Sequence, residues 1–261
     1  MVEAIIADHV TKDFVLRRHK TFKKMTVAKM RGQQTVDRFN AVDDVSFTIQ
    51  QGESVGLMGL NGSGKSTLLK VISGVMKPNK GSILTRGRIA GLIATGAGFQ
   101  SQLSGLENIY LNAAIYGLSE KETKAVIDEI IDFADIGQFI DQPVGTYSSG
   151  MSSRLGFSIA VHVDCDIFLA DEILAVGDKP FKRKCMAKMQ EIRESGKTMV
   201  YVSHAAASVQ RMCDRVICLE NGRMIYDGEV DEGIRILNYG DDEDGEELDL
   251  ALDDAELGAD V

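Results

Sequence analysis

Gly59-Leu60-Asn61-Gly62-Ser63-Gly64-Lys65-Ser66-Thr67 sets a lysine and two hydroxyl residues directly behind a glycine-rich run, in the spacing GxxxxGK[ST]. A polyphosphate needs many donors at close range. Glycines let successive backbone N–H groups turn inward at a helix N-terminus, whose dipole favours anions. Lys65 then neutralises the β- and γ-phosphates of a nucleoside triphosphate, and the Ser66 hydroxyl is placed to ligate Mg²⁺. About a hundred residues later Ile167-Phe168-Leu169-Ala170-Asp171-Glu172 is an apolar run ending in two carboxylates. Asp171 would hold Mg²⁺ through water, and Glu172 would take the proton from an attacking water, a role that contributes about 10²–10⁴-fold. An Asp-Glu pair after a strand is common in turns; the phosphate loop upstream gives it meaning. His204 follows the apolar run Met199-Val200-Tyr201-Val202 and Ser203. A lone histidine is more often a surface or satisfied core residue, but the carboxyl end of a buried strand is where ligands of open α/β sheets gather. This favours His204 as a sensor of the γ-phosphate.

Such a site needs strands that end together and helices that begin there. Short apolar runs alternate with helical patterns along the chain, which predicts an α/β fold with mixed sheet character. Val45, Phe47 and Ile49 alternate with polar neighbours as in a half-buried strand, Gly52 turns the chain, and Ser54 to Met58 runs into the glycine loop. A helix is expected from Lys65 to about Ser73, with Gly74, Pro78 and Gly81 marking the way to another strand. Helical character returns near Gly105. Ser119 with Glu122 forms a capping box for a helix whose apolar face carries Val126, Ile127, Ile130 and Ile131. Ile167–Ala170, Thr198–Val202 and Arg215–Leu219 read as buried strands, and Asn221-Gly222 as a hairpin turn into Met224–Tyr226.

The formal net charge is -10, yet 11 of the 39 acidic residues fall in residues 241–261, which have no Lys or Arg. The body, residues 1–240, is close to neutral, and 241–261 reads as an acidic, disordered tail. Overall charge therefore says little about partners such as nucleic acid, and none is expected. Between Arg17 and Arg38 lie eight Lys or Arg and one acid, Asp37. This basic insertion, expected to be partly helical, is either a solvated face or a contact for anionic headgroups or a phosphate-bearing substrate. Cys165, Cys185, Cys213 and Cys218 form no CxxC pair and no zinc-like spacing with histidine, so they read as reduced thiols in a cytosol. No stretch has the length of a membrane span, and the N-terminus has no signal-peptide pattern. A membrane role would have to come through another subunit.

A family resemblance rests on further residues. Tyr147-Ser148-Ser149-Gly150-Met151, with Arg154 downstream, resembles the LSGGQ signature that separates ABC ATPases from other phosphate-loop proteins. Gln100 stands where their Q-loop would be. Gly96-Ala97-Gly98-Phe99-Gln100, the Tyr147–Met151 string and Leu174-Ala175-Val176-Gly177-Asp178 look more narrowly like the ATPases of teichoic-acid and polysaccharide exporters, the TagH and Wzt type. Ser149 and Met151 replace Gly and Gln of the general signature, and the D-loop reads Ala-Val-Gly-Asp; both departures resemble this branch.

The resemblance implies a phosphate-loop ABC ATPase domain with a RecA-like core, an antiparallel β subdomain and an α-helical signature subdomain over about 97–163. It implies ATP and Mg²⁺ as bound groups, with Ser66, Gln100 and Asp171 around the metal and Glu172, His204 and Gln100 in catalysis. Gly59, Asn61, Gly62, Ser63, Gly64, Lys65, Ser66 and Thr67 would hold the triphosphate. Phe14, after Thr11-Lys12-Asp13, is similar to the aromatic that stacks on adenine. Ser148, Ser149, Gly150 and Met151 would act across a homodimer on nucleotide held by the opposite copy, and Asp178 would be the D-loop aspartate. The implied function is hydrolysis of ATP on the cytoplasmic face of a membrane, driving a separate integral permease that exports a lipid-linked glycopolymer. After Tyr239 the sequence offers only the acidic tail, so recognition of a modified glycan end by this chain is not expected. Soluble ABC ATPases of DNA repair carry long coiled-coil insertions and ribosomal ones join two ATPase domains; neither pattern occurs in this sequence. A small-molecule kinase would need no signature motif.

Overall fold

The computed structural model describes residues 2–16, 37–91, 98–171, 178–203 and 205–237. Its first sheet is antiparallel, with β1 (Glu3–Leu16) between β2 (Asp37–Gln50) and β4 (Lys80–Thr85). Regular alternation in β1 and β2 is broken by bulges, with His9 and Asp44 at φ 49 and 57 and a register shift between Ala7 and Val10. A bulge adds twist and re-aims the side chains beyond it. This is why β1 gives only a weak strand signal despite its 14 residues. The structure also moves one boundary: Leu16 pairs with Asp37 and Val15 with Arg38, so Asp37 and Arg38 belong to β2 rather than to the basic insertion. The rest of that insertion, 17–36, lies outside the described residues, as does the acidic tail.

The second sheet has the order β5-β6-β7-β3-β8-β9, where β3 is Ser54–Met58, β5 Ile89–Gly91, β6 Ile167–Ala170, β7 Thr198–Val202, β8 Arg215–Glu220 and β9 Arg223–Gly228. Every pair is parallel except β8 with β9. That pair is the expected hairpin, and Asn221 and Gly222 sit at φ 49 and 81, the two positive angles a tight primed turn requires. Strands β3, β6 and β7 are buried at every position. Side chains alternate between faces with period two, so each strand feeds two cores. Ile167, Leu169, Val200 and Val202 join Leu57 and helix α1 (Lys65–Ile72) on one face, together with Val45 and Ile49 of the antiparallel sheet. Phe168, Ala170, Met199 and Tyr201 join the helices of the opposite face.

Those helices are α2 (Gly105–Ile115), α3 (Glu120–Ala134), α4 (Ser149–His162) and α5 (Lys179–Glu194), with the shorter α6 (Ala206–Met212) and α7 (Val230–Leu237) following. Ser104 and Ser119 cap α2 and α3 through full capping boxes with Glu107 and Glu122. Each cap of this kind is worth about 1 kcal/mol. On α3, Ile130 is buried and Val126, Ile127 and Ile131 pack partly against the core, as their spacing predicts. Arg215 ties the two sheets: its guanidinium meets Glu53 Oε1 at 2.5 Å and the Thr48 carbonyl of β2 at 2.5 Å, and pairs with Asp227 of β9. None of the described helices is long and apolar enough to cross a membrane.

Candidate nucleotide-binding site

Because β6, β7 and β3 are parallel neighbours, their carboxyl ends open on one edge of the sheet. Ala170 lies beside Tyr201, and Val202 beside Leu57. Residues 59–64 leave β3 on that edge, Asp171 leaves β6, and Ser203 leaves β7. Neighbouring strands are about 4.8 Å apart, so the phosphate loop and Asp171, two strands away, face each other over about 10 Å.

Within the loop each glycine has its own reason. Gly59 is at φ 144, and a Cβ there would overlap the Leu219 carbonyl and crowd Ser63 Oγ. Gly64, the N-cap of α1, is at φ 110, and a Cβ there would overlap the Ala41 carbonyl. Gly62, at φ 83, has nothing within 4 Å of a Cβ position among the described residues. Lys65 is buried and its ammonium is held by the carbonyls of Gly59 at 2.5 Å and Leu60 at 3.1 Å. Ser63 Oγ is buried with no hydrogen-bond partner among the described residues. An orphaned buried hydroxyl is costly, and this one lies in a loop built to take an anion. Ser66 is exposed on the first turn of α1 and Asp171 is half-buried. A hydroxyl and a carboxylate are hard oxygen donors of the kind Mg²⁺ takes. The residues present therefore fit a Mg²⁺-bound polyphosphate.

The loop is buttressed from behind by residues that the sequence reading passed over. Gly222 N–H donates to the Ser63 carbonyl at 2.9 Å, and Asp43 N–H donates to the Gly222 carbonyl at 2.8 Å. Arg223 of β9 closes the arrangement on the Asp43 carboxylate at 2.8 Å. The Asn221-Gly222 pair was legible as a turn; its seat under the phosphate loop was not, since that depends on two sheets meeting.

Ser148 caps α4: its Oγ accepts from Met151 N–H at 3.2 Å. Ser148 and Ser149 are exposed and Gly150 half-buried; beyond the helix's own backbone, a Cβ at Gly150 would meet only Ser148 Oγ, at 3.8 Å, among the described residues. The turn thus presents hydroxyls and helix N-terminal N–H groups outward, an anion-accepting surface. Tyr147 anchors it by donating its hydroxyl to the Phe139 carbonyl at 2.6 Å, and burial raises the phenol above its ordinary value, keeping it a neutral donor. One turn along α4, Arg154 joins three elements. Its guanidinium pairs with Asp178 Oδ1 at 3.1 Å and Asp135 Oδ2 at 3.6 Å, and lies 4.6 Å from the Phe181 ring centroid. Asp178 in turn caps α5, accepting from Phe181 N–H at 3.3 Å. The structure therefore brings the signature helix and the predicted D-loop aspartate together.

Gln100 is exposed, while its backbone is held by Asn108 of α2, another residue the sequence reading missed. Phe14 is exposed at 37% beside its cross-strand partner Phe39, and the Lys12 ammonium lies 5.7 Å from its ring centroid. Glu172, His204, residues 174–177 and residues 96–97 lie outside the described residues.

Comparison with known proteins agrees with this geometry. The profile of the family described as ABC transporter matches residues 42–175. An O-antigen export system ATP-binding protein of Klebsiella pneumoniae is 43% identical over 228 residues, 86% of this chain and 93% of that protein. A teichoic acids export ATP-binding protein of Bacillus anthracis is 45% identical over 225 residues, 86% of this chain and 40% of that protein. Among solved structures, the dimeric cassette MJ0796 bound to ADP and Pi superposes with a TM-score of 0.67 at 23% identity, covering 87% of this chain and 98% of that one. Matching loop, signature turn and extended sequence identity place this chain in the ABC transporter family, with the ABC ATPase fold.

Proposed function

We propose that this chain binds and hydrolyses ATP as one of two identical copies, and that closure of the pair drives a separate permease exporting a lipid-linked polysaccharide or teichoic acid. The observation that carries the ATPase part is the shared sheet edge: the glycine loop with Lys65 and Asp171 open on one side, while Ser148 and Gly150 present a second anion-accepting turn outward. The names of the relatives support the substrate class. Gly59, Asn61, Gly62, Ser63, Gly64 and Thr67 cradle the triphosphate, and Lys65 turns its ammonium to the β- and γ-phosphates. Ser66, Asp171 and Gln100 hold Mg²⁺, which when bound neutralises charge building on the phosphates. Glu172 removes the proton from the attacking water and His204 senses the γ-phosphate. Phe14 stacks on adenine.

In the pair, the Ser148–Met151 turn of each copy caps the nucleotide held by the other. Asp178, tied to the signature helix through Arg154, carries the same closure to its own loop. Binding energy is thereby converted into movement of two rigid bodies, and hydrolysis releases them. The chain works at the cytoplasmic face of the membrane, peripheral to its permease, and needs no nucleic acid.

The test is purification of the tagged chain from its own membrane followed by reconstitution in vesicles. An integral membrane protein should accompany it, and MgATP should drive a lipid-linked glycan across the bilayer in the wild type. Recovery of the chain with ribosomes or DNA, and no ATP-dependent glycan movement, would contradict the proposal.

A further inference from the structure

We infer that Asn108 is a positioning residue for Gln100, holding its backbone on the same rigid body as the signature turn. The inference rests on the role proposed above for the Gln100 side chain. Asn108 is fully buried in the first turns of α2. Its Oδ1 accepts from Gln100 N–H at 2.8 Å, and its Nδ2 lies 3.1 Å from the Gln100 carbonyl, 3.1 Å from that of Leu103 and 2.9 Å from that of Ser104. One carboxamide thus bonds both the donor and the acceptor of Gln100 in the main chain, and the Gln100 carbonyl also accepts from Leu103 N–H at 3.0 Å. Only a side chain that accepts and donates at once can do so: Asp has no donor, Leu neither group.

Helix initiation does not account for these bonds, since Ser104 and Glu107 already form a full capping box at the start of α2. What they add lies upstream of the helix. Gly98, at φ 111, bends the chain two residues earlier. From Gln100 onward the backbone is clamped, while the Gln100 side chain remains exposed. The clamped stretch is also bonded to the segment that leads into the signature turn. Gly145 N–H donates to the Ser101 carbonyl at 2.8 Å, Val144 N–H to that of Leu103 at 2.9 Å, and Gly105 N–H to that of Gln142 at 3.2 Å. Displacement of Gln100 is therefore passed to residues 142–147 and Ser148 without an intervening flexible joint.

The experiment is a double-mutant cycle on MgATP hydrolysis by the chain assembled with its membrane subunit. Gln100→Ala should lower kcat by about tenfold, and Asn108→Ala by a similar factor with KM for ATP within about twofold, since the phosphate loop is untouched. In the Gln100→Ala background, Asn108→Ala should cost no more than about twofold further, because residues acting as one unit are not additive. Independent, multiplying losses would overturn the inference while leaving the role of Gln100 standing. A Gln100→Ala variant with normal turnover would instead remove that role, and the inference with it. Should Asn108→Ala fail to fold, amide exchange decides: Gln100 N–H should be protected in the wild type and lose protection in Asn108→Leu, and an unprotected wild-type amide, or one equally protected in Asn108→Leu, would overturn the assignment.

Discussion

A buried ammonium must be matched by oxygen, and Lys65 finds it in the carbonyls of Gly59 and Leu60 within its own loop. Phosphate oxygens offer a better match, because they carry a negative charge that a neutral carbonyl lacks and so add coulombic attraction to the hydrogen bond. Lys65→Ala should raise the Kd for ATP by about 10- to 100-fold while leaving the fold intact, as measured by titration calorimetry alongside thermal unfolding. Unchanged affinity would remove the residue from the site. Lys65 was legible because its neighbours spell its role: three glycines whose angles or contacts forbid or do not need a side chain, followed by hydroxyls. Asp43 and Asn108 were not. Asp43 meets Arg223 across 180 residues of sequence, and Asn108 looks like any polar residue on a helix until Gln100 folds back over it.

At the scale of elements, apolar periodicity located the buried strands and the Ser119-capped helix, since those segments obey one period over their whole length. It gave little warning of β1, whose bulges interrupt the alternation, nor of the two residues by which β2 extends into the basic insertion. How tightly helices dock on the central sheet is reported by four thiols: Cys165 ahead of β6, Cys185 in α5, Cys213 after α6 and Cys218 in β8, all buried and free. Burial pushes them up from 9 to about 11, 12, 12 and 11 respectively. Unfolded thiols lose their protons first as pH rises past about 9, so the native state binds more protons between there and 11–12. The stability these groups lend is present below about pH 9 and is lost as pH climbs through the folded values. Thiolates are the reactive form. At pH 8 the native chain should therefore resist iodoacetamide under conditions where the urea-unfolded chain labels at four sites. Stoichiometric labelling of the native protein at any of the four would show that its helix is not docked as described.

For the whole molecule, the ABC ATPase architecture followed from the order of motifs, while the joining of its parts did not. The Arg215 cluster between the sheets, the hairpin beneath the phosphate loop and the Arg154–Asp178 tie all depend on tertiary contact. These ties join the elements around two separate anion-accepting surfaces, and in the proposed pair one nucleotide would meet one surface from each copy. As proposed, the loop of one copy and the Ser148–Met151 turn of another enclose ATP together. The most direct measurement is the mass in solution of Glu172→Gln, which keeps nucleotide binding but lacks the proposed base, at saturating MgATP. Light scattering should find twice the 28.4 kDa of the single chain with nucleotide and the single mass without it. A variant shown to bind MgATP yet remaining at the mass of one chain, both alone and in its membrane assembly, would contradict the account.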